Sequence, residues 1–129
     1  MYNFSEQSEK KLQTCHADLQ AVVREAIKLT NLTVMEGTRD EATQNAAFAA
    51  GKSKLKYPDG KHNSLPAKAI DIAPYPVDWT NRERFTFLAG IMLATAAAMK
   101  IDLRWGGDWN KNGEIGDNKF DDLVHFELA

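Results

Sequence analysis

Residues 60–74 read GKHNSLPAKAIDIAP, a loop of turn-forming residues that runs into a short apolar segment carrying one carboxylate. Ala69, Ile70 and Ile72 surround Asp71 and predict a strand in the core, because β-branched side chains fit a pleated, half-buried surface. An ionised side chain in such a place is costly unless it is paired or bound to a metal. Asp71 therefore predicts a nearby cation.

Two histidines can complete a site around Asp71. His62 lies on the loop before the strand, and His125 lies in a second strand-like segment near the end of the chain. Two imidazoles and one carboxylate with a fourth position open form the ligand set of a catalytic zinc. Such a metal lowers the pKa of water from about 16 to roughly 7. The residues thus predict a hydrolytic centre, with Asp122, three positions before His125, as its candidate base.

Each histidine, taken alone, also fits a simpler role. A lone histidine is more often a surface residue or a hydrogen-bonded core residue than a ligand. His16, the remaining histidine, lies between Leu12 and Leu19 in a helical pattern, where helix packing accounts for it. Two histidines and a carboxylate also suit the ferrous iron of an oxygenase. Asp71 follows His62 by nine positions, which argues against an oxygenase, because its histidine and carboxylate ligands usually lie two residues apart.

Five motifs follow one another along nearly the whole chain. They are residues 8–12 (SEKKL), 34–39 (VMEGTR) with Gln44, 61–74, 105–110 (WGGDWN) and 125–128 (HFEL). In this order they resemble the zinc peptidases of the D-alanyl-D-alanine carboxypeptidase type, and specifically the L-alanyl-D-glutamate peptidase endolysins of tailed phages. The resemblance implies an α+β fold of the Hedgehog and D-Ala-D-Ala peptidase kind, a small antiparallel sheet packed with helices, with residues 1–129 as one catalytic domain.

The resemblance also implies roles for single residues. His62, Asp71 and His125 match the family's zinc ligands and Asp122 its general base. Arg39 matches the arginine that steadies the substrate carbonyl or the developing oxyanion, where fixed positive charge favours the transition state. The family usually separates its first histidine from its aspartate by seven positions, whereas nine separate them here. A longer loop before the strand would absorb the difference.

The function implied is hydrolysis of the L-alanyl-D-glutamate bond in bacterial peptidoglycan during phage lysis, by a monomer. D-alanyl-D-alanine carboxypeptidase or dipeptidase activity is the alternative within the class. A non-catalytic cell-wall-binding module is the alternative outside it, and the presence of both Asp122 and Arg39 argues against that module.

Composition narrows the choice of partners and location. A net charge of -2 over 129 residues gives no basic field for nucleic acid, and the single cysteine, Cys15, excludes an internal disulfide and a cysteine-based zinc site. The opening MYNFSEQ lacks the basic and apolar regions of a signal peptide. Residues 85–99 are apolar but shorter than the roughly 20 residues of a membrane span. We expect synthesis in the host cytoplasm and action in the periplasm or cell wall once the membrane is permeabilised.

Periodicity predicts the remaining elements. Residues 8–29 show one apolar helical face, residues 32–36 are β-prone, and Asp40 can cap a helix that ends before Gly51. Residues 52–66 form a long loop. The capping box Thr80-x-x-Glu83 predicts the start of a long central helix that ends near Lys100, followed by a strand at residues 103–105.

Residues 108–115 match the beginning of a calcium-binding loop. Asp108, Asn110 and Asn112 alternate as oxygen donors before Gly113, as in an EF-hand. Lys119 occupies the place of the last, bidentate glutamate. The pattern fits either calcium binding or a solvated Asn-Gly turn.

Overall fold

The computed structural model describes residues 2–129. One antiparallel sheet has the strand order β1-β2-β4-β3. Its strands are β1 (Leu32–Glu36), β2 (Ala69–Pro74), β3 (Leu103–Gly106) and β4 (Asp122–Leu128). Every residue of β2 is buried, so the strand that carries Asp71 lies in the core as its apolar sequence predicts. The structure confirms the expected α+β fold with a small antiparallel sheet.

Four helices accompany the sheet: α1 (Glu6–Leu12), α2 (Ala17–Ala26), α3 (Glu41–Ala49) and α4 (Arg82–Ala98). The central helix predicted after residue 80 is α4, which packs on α2 and on three strands. Its cap is Asn81, whose side chain accepts from the Arg84 amide. The predicted capping box is therefore wrong by one residue, because the Thr80 hydroxyl donates to Asp78 instead.

The single helix predicted over residues 8–29 is wrong, because α1 and α2 are separate. Between them the Thr14 carbonyl accepts from the Ala67 amide at 2.9 Å, and the His16 amide donates to the Ala67 carbonyl at 2.8 Å. The chain leaves the helix to pair with the segment before β2. The His16 side chain then caps α2 by accepting from the Asp18 amide at 3.0 Å, so this histidine has a capping role and not the predicted packing role.

Helix α1 also covers the edge of the sheet. Ser8 lies inside α1 and is buried, and its hydroxyl accepts the Val34 amide of β1 at 2.9 Å. Ser5 caps the helix, because its side chain accepts from the Ser8 amide at 3.0 Å. The bond from the Val34 amide to Ser8 satisfies a donor on the edge strand β1 that would otherwise be open to pairing with another chain.

The segment between α3 and β2 forms one wall of the cleft described below. Asp40 caps α3 by accepting from the Thr43 amide, and the chain turns at Gly51 with a φ of 75°, both as predicted. Residues 52–66 contain one short 3-10 turn, Lys61–Asn63. None of the helices within residues 2–129 combines the length and the apolarity that crossing a membrane requires.

Candidate metal centre

Strand pairing brings Asp71 and His125 together. The two residues are direct partners in the antiparallel register of β2 and β4, so their side chains leave the same face of the sheet a short distance apart. Both are buried. Sequence alone identifies each strand, and the register supplies the contact.

The loop delivers His62 to the same point. The Arg39 amide donates to the His62 carbonyl at 2.7 Å, and the Lys68 amide donates to the Lys61 carbonyl at 2.8 Å. These bonds attach the 3-10 turn Lys61–Asn63 to the residues that follow β1 and to the residue that precedes β2. His62 is buried there, with only 2% of the residue exposed. The nine-position separation from Asp71 therefore does not keep His62 away.

The three side chains form a nearly equilateral triangle of ligand atoms. His62 Nε2 lies 3.2 Å from Asp71 Oδ1 and 3.3 Å from His125 Nδ1, and His125 Nδ1 lies 3.4 Å from Asp71 Oδ1. Zinc bonds of about 2.0 to 2.1 Å in a tetrahedron give edges of about 3.3 to 3.4 Å between ligand atoms. Within residues 2–129 this is the one cluster of histidine, cysteine and acidic side chains that could hold a metal ion.

The outer contacts of each imidazole show which nitrogen is free for a metal. His62 Nδ1 donates to the Gly37 carbonyl at 2.7 Å, and His125 Nε2 donates to Glu127 Oε1 at 2.8 Å. Because a neutral imidazole carries one N–H, the other nitrogen of each ring presents a lone pair. Two lone pairs and a carboxylate oxygen then face one another, an arrangement that needs a cation.

The pKa values of Asp71 and His125 also favour a cation in the centre. Burial alone raises the pKa of Asp71, but its contacts with His125 and His62 hold that pKa well below its usual range. Burial lowers the pKa of His125, while Asp71 and Glu127 together raise it to about 9. The surroundings thus keep Asp71 ionised and favour positive charge between the three side chains. Without a metal, a proton on His125 supplies that charge, and a bound metal would displace the proton.

Glu127 stands behind His125. Its second oxygen, Oε2, lies 3.2 Å from Lys61 Nζ and 3.3 Å from Arg104 NH1. Burial raises the pKa of Glu127, but His125 and Lys61 lower it to about 2, so the side chain is ionised. A carboxylate in this place fixes the tautomer of a metal-binding histidine and raises its basicity. Neither Lys61 nor Arg104 was predicted to take part, since nothing local in the sequence links them to Glu127.

Arg39 lies on the other side of Asp71. Its Nη2 donates to Asp71 Oδ2 at 2.9 Å, and its Nη1 donates to Gln44 Oε1 at 3.2 Å. Arg39 Nε lies 2.9 Å from Glu36 Oε2, where the geometry is that of an ion pair without an aligned hydrogen bond. The guanidinium is therefore held rigidly at the edge of the centre.

Gln44 supports the arginine. The motifs grouped it with residues 34–39, but the sequence assigned it no role. It is 1% exposed and donates to Ser53 Oγ at 2.9 Å and to the Leu55 carbonyl at 2.6 Å. The residue therefore joins Arg39 to the loop wall.

Asp122 reaches the same cleft because β4 is irregular. One step along β3, from Trp105 to Gly106, corresponds to four steps along β4, from Phe126 to Asp122. This irregularity breaks the alternation that would place residues 122 and 125 on opposite faces. A Cβ at Gly106 would overlap the Asp122 carbonyl oxygen, so no residue with a side chain fits there.

The charge state of Asp122 is tuned by its surroundings. Burial raises its pKa, the Asp71 charge raises it further, and His125, Arg39 and His62 lower it, which leaves the value at about 6. A carboxylate with that pKa is ionised at neutral pH and still accepts a proton readily. Asp122 is not one of the three converging ligand residues.

A cleft of about 650 Å³ opens over these residues. One wall is the loop before His62, and the other is the segment that precedes Asp122, with Trp109 and Phe120. The Trp109 ring lies 5.4 Å from the His125 ring and 6.5 Å from the Phe120 ring, centroid to centroid. A peptide bound in the cleft would therefore contact the candidate ligands, the candidate base and an aromatic surface together.

In the predicted calcium loop, the Asp108 side chain accepts hydrogen bonds from backbone amides of the same loop. The Asp108 carboxylate accepts the amides of Asn112 at 3.2 Å and Gly113 at 2.9 Å, and Asn112 Nδ2 donates to Asp117 Oδ2 at 2.6 Å. Lys111 and Gly113 have left-handed φ values of 57° and 81°. The oxygen donors alternate as predicted, and calcium binding stays a prediction.

Comparison with known proteins agrees with the fold and with the family that the motifs indicate. A family model described as phage L-alanyl-D-glutamate peptidase matches residues 1–129. The L-alanyl-D-glutamate peptidase of Escherichia phage T5 is 35% identical over 121 residues, which cover 90% of this chain and 88% of that protein. The crystal structure of the Serratia marcescens L-Ala D-Glu endopeptidase ChiX has a TM-score of 0.75 at 27% identity and covers 100% of this chain and 90% of that chain. The resemblance seen in the motifs is confirmed.

Proposed function

The chain belongs to the phage L-alanyl-D-glutamate peptidase family, and we propose that it hydrolyses that bond in the stem peptides of bacterial peptidoglycan. The observation that carries the proposal is the triangle of His62 Nε2, Asp71 Oδ1 and His125 Nδ1, with edges of 3.2 to 3.4 Å. The whole of residues 1–129 would serve as one catalytic domain.

Zinc is the metal that best suits these donors. Two imidazole nitrogens and one carboxylate oxygen with a further position open are typical of catalytic zinc. Bound there, zinc would polarise the peptide carbonyl and make water a nucleophile at neutral pH. His62, Asp71 and His125 would hold the ion, while Gly37 and Glu127 orient the two rings.

Asp122 and Arg39 would do the remaining work. With a pKa of about 6, Asp122 can take a proton from the attacking water and return it to the leaving amine. Arg39 contributes fixed positive charge at the edge of the cleft, where the carbonyl oxygen gains negative charge. Its bond to Asp71 Oδ2 also fixes the orientation of that ligand.

The place of action follows from the substrate. Peptidoglycan lies outside the inner membrane, so we propose that the protein acts from the periplasmic side after that membrane is permeabilised. Action as a monomer is part of the same proposal, because every residue assigned a role lies in a single chain.

The first prediction concerns metal and product together. Purified protein should carry one zinc per chain and release wall fragments with a new amino-terminal D-glutamate, identified by mass spectrometry of a digested muropeptide. Removal of the metal with a chelator should stop digestion, and zinc should restore it. Release of free D-alanine would favour the alternative specificity instead, and iron in place of zinc would contradict the metal assignment.

The second prediction concerns calcium. We expect calcium to bind the loop of Asp108, Asn110 and Asn112, replacing the contacts that Asp108 makes with backbone amides. Because this loop leads into β4, binding should order the approach to Asp122 and increase activity. Isothermal titration should show heat for the wild type and little for Asp108→Asn. The absence of heat in the wild type would remove the idea.

A further inference from the structure

The leaving half of the substrate carries a free carboxylate that the metal centre has no assigned group to bind. This inference rests on the proposed function. A glutamate joined through its nitrogen to alanine has two carboxyl groups, and only one of them can continue the stem peptide. The other is a free carboxylate near the bond that breaks, unless it is amidated. A cation that is not already paired within the protein would favour its binding.

Two of the five cationic side chains that line the cleft are already paired within the protein. The lysines and arginine that line the cleft are Arg39, Lys52, Lys54, Lys61 and Lys119. Arg39 is paired with Asp71, and Lys61 is paired with Glu127. Within the described part of the chain, no ion pair involves the other three. These three lysines are therefore the candidates for holding the substrate carboxylate.

Of the three, Lys54 is the lysine whose ammonium lies over an aromatic ring of the cleft. Its ammonium lies 5.0 Å from the centroid of the Phe120 ring, on the opposite wall. Phe120 stacks on Trp109, and Trp109 contacts His125. The ammonium of Lys54 thus lies beside an aromatic surface that continues to His125. A cation over a ring face keeps N–H donors free for an anion.

We propose that Lys54 binds the free glutamate carboxylate of the leaving half and so sets the specificity for unamidated stem peptides. The Trp109 and Phe120 rings form the surface along which that half lies. Because Lys54 is largely exposed, its contact with the carboxylate is worth little more than a surface ion pair, which corresponds to roughly fivefold in binding.

The test uses two synthetic peptides that differ only in the second carboxyl of glutamate, free in one and a carboxamide in the other. Lys54→Met should lower kcat/KM for the free acid by roughly fivefold, through a higher KM, and leave the amide unchanged. Lys54→Arg should keep most of the preference. The matched control is Lys56→Met, since Lys56 lies on the same loop over the Phe48 ring at 5.1 Å but does not line the cleft.

Several outcomes would overturn the assignment. An equal loss on both peptides would mean that Lys54 acts on the fold and not on the carboxylate. An unchanged preference in Lys54→Met, or its loss in Lys119→Met alone, would place the contact elsewhere. Failure of the wild-type protein to cleave either peptide would instead overturn the proposed function, and this assignment with it. Unchanged circular dichroism in every variant shows that folding is not the cause.

Discussion

Replacing His125 with alanine is expected to abolish both metal retention and wall digestion. The change removes Nδ1, which lies 3.3 Å from His62 Nε2 and 3.4 Å from Asp71 Oδ1, and leaves two ligands of the three. Loss of a residue that only orients a ligand typically lowers metal affinity by about 10- to 100-fold, so loss of a ligand should exceed that range. Elemental analysis and the clearing of a peptidoglycan suspension measure the two effects.

His16→Ala provides the matched control. It makes the same chemical change at a histidine that caps α2 and does not line the cleft. Loss of the cap should cost about 1 kcal/mol of stability while zinc content and digestion stay at the wild-type level. Stoichiometric zinc in purified His125→Ala would contradict the ligand assignment, and an equal loss in both variants would indicate a general effect on folding.

The sequence predicts the parts of the site that local pattern encodes. Asp71 is flanked by buried apolar residues, and His125 and Glu127 differ by two positions in a strand, which places them on one face. Both inferences need only neighbouring residues. What no local pattern contains is the register, which makes Asp71 and His125 direct partners across β2 and β4.

The largest failure, the single helix predicted over residues 8–29, has its cause in long-range pairing. The apolar period runs on from Leu12 through Cys15 to Leu19, so nothing nearby predicts the break between α1 and α2. The break exists because Thr14 and His16 pair with Ala67, some fifty residues away in the chain. Tertiary hydrogen bonds outweigh a helical preference that is worth only tenths of a kcal/mol per residue.

Asp122 shows the same limit at the catalytic site. Its separation from His125 would place the two side chains on opposite faces of a regular strand. The irregular pairing of β3 with β4, and the room left by Gly106, bring the carboxylate into the cleft. The sequence supplied a carboxylate at a suitable position, but its route to the cleft depends on the backbone of another strand.

Asp122→Asn is the second variant with a large expected effect, and it should separate metal binding from chemistry. The amide has the shape of the acid but cannot accept a proton at neutral pH, so turnover should fall by roughly 10² to 10⁴. Zinc should stay at one per chain, because Asp122 is not in the triangle of ligands. Elemental analysis and initial rates on the same preparation measure both quantities.

Neighbouring carboxylates provide the control for this variant. Asp121→Asn removes the adjacent charge, which is paired with Arg82 at 2.9 Å, and should leave turnover near the wild-type value. Undiminished turnover in Asp122→Asn would move the base to Asp121 or to Glu127. Loss of zinc in Asp122→Asn would mean that the carboxylate supports the metal and does not act as a base.

Asp122→Asn should lower turnover but raise the stability of the folded protein. Burial and the Asp71 charge raise the pKa of Asp122 from 3.8 to about 6, so the unfolded chain ionises at lower pH than the folded protein. Ionisation of Asp122 therefore destabilises the fold as pH rises from about 4 to 6, and the penalty persists above that range. In the chelated protein, Asp122→Asn should melt at a higher temperature than the wild type at pH 7, and the difference should shrink toward pH 4. A variant that melts lower at pH 7 would show that the native site stabilises the ionised carboxylate, in which case Asp122 would not be poised to accept a proton.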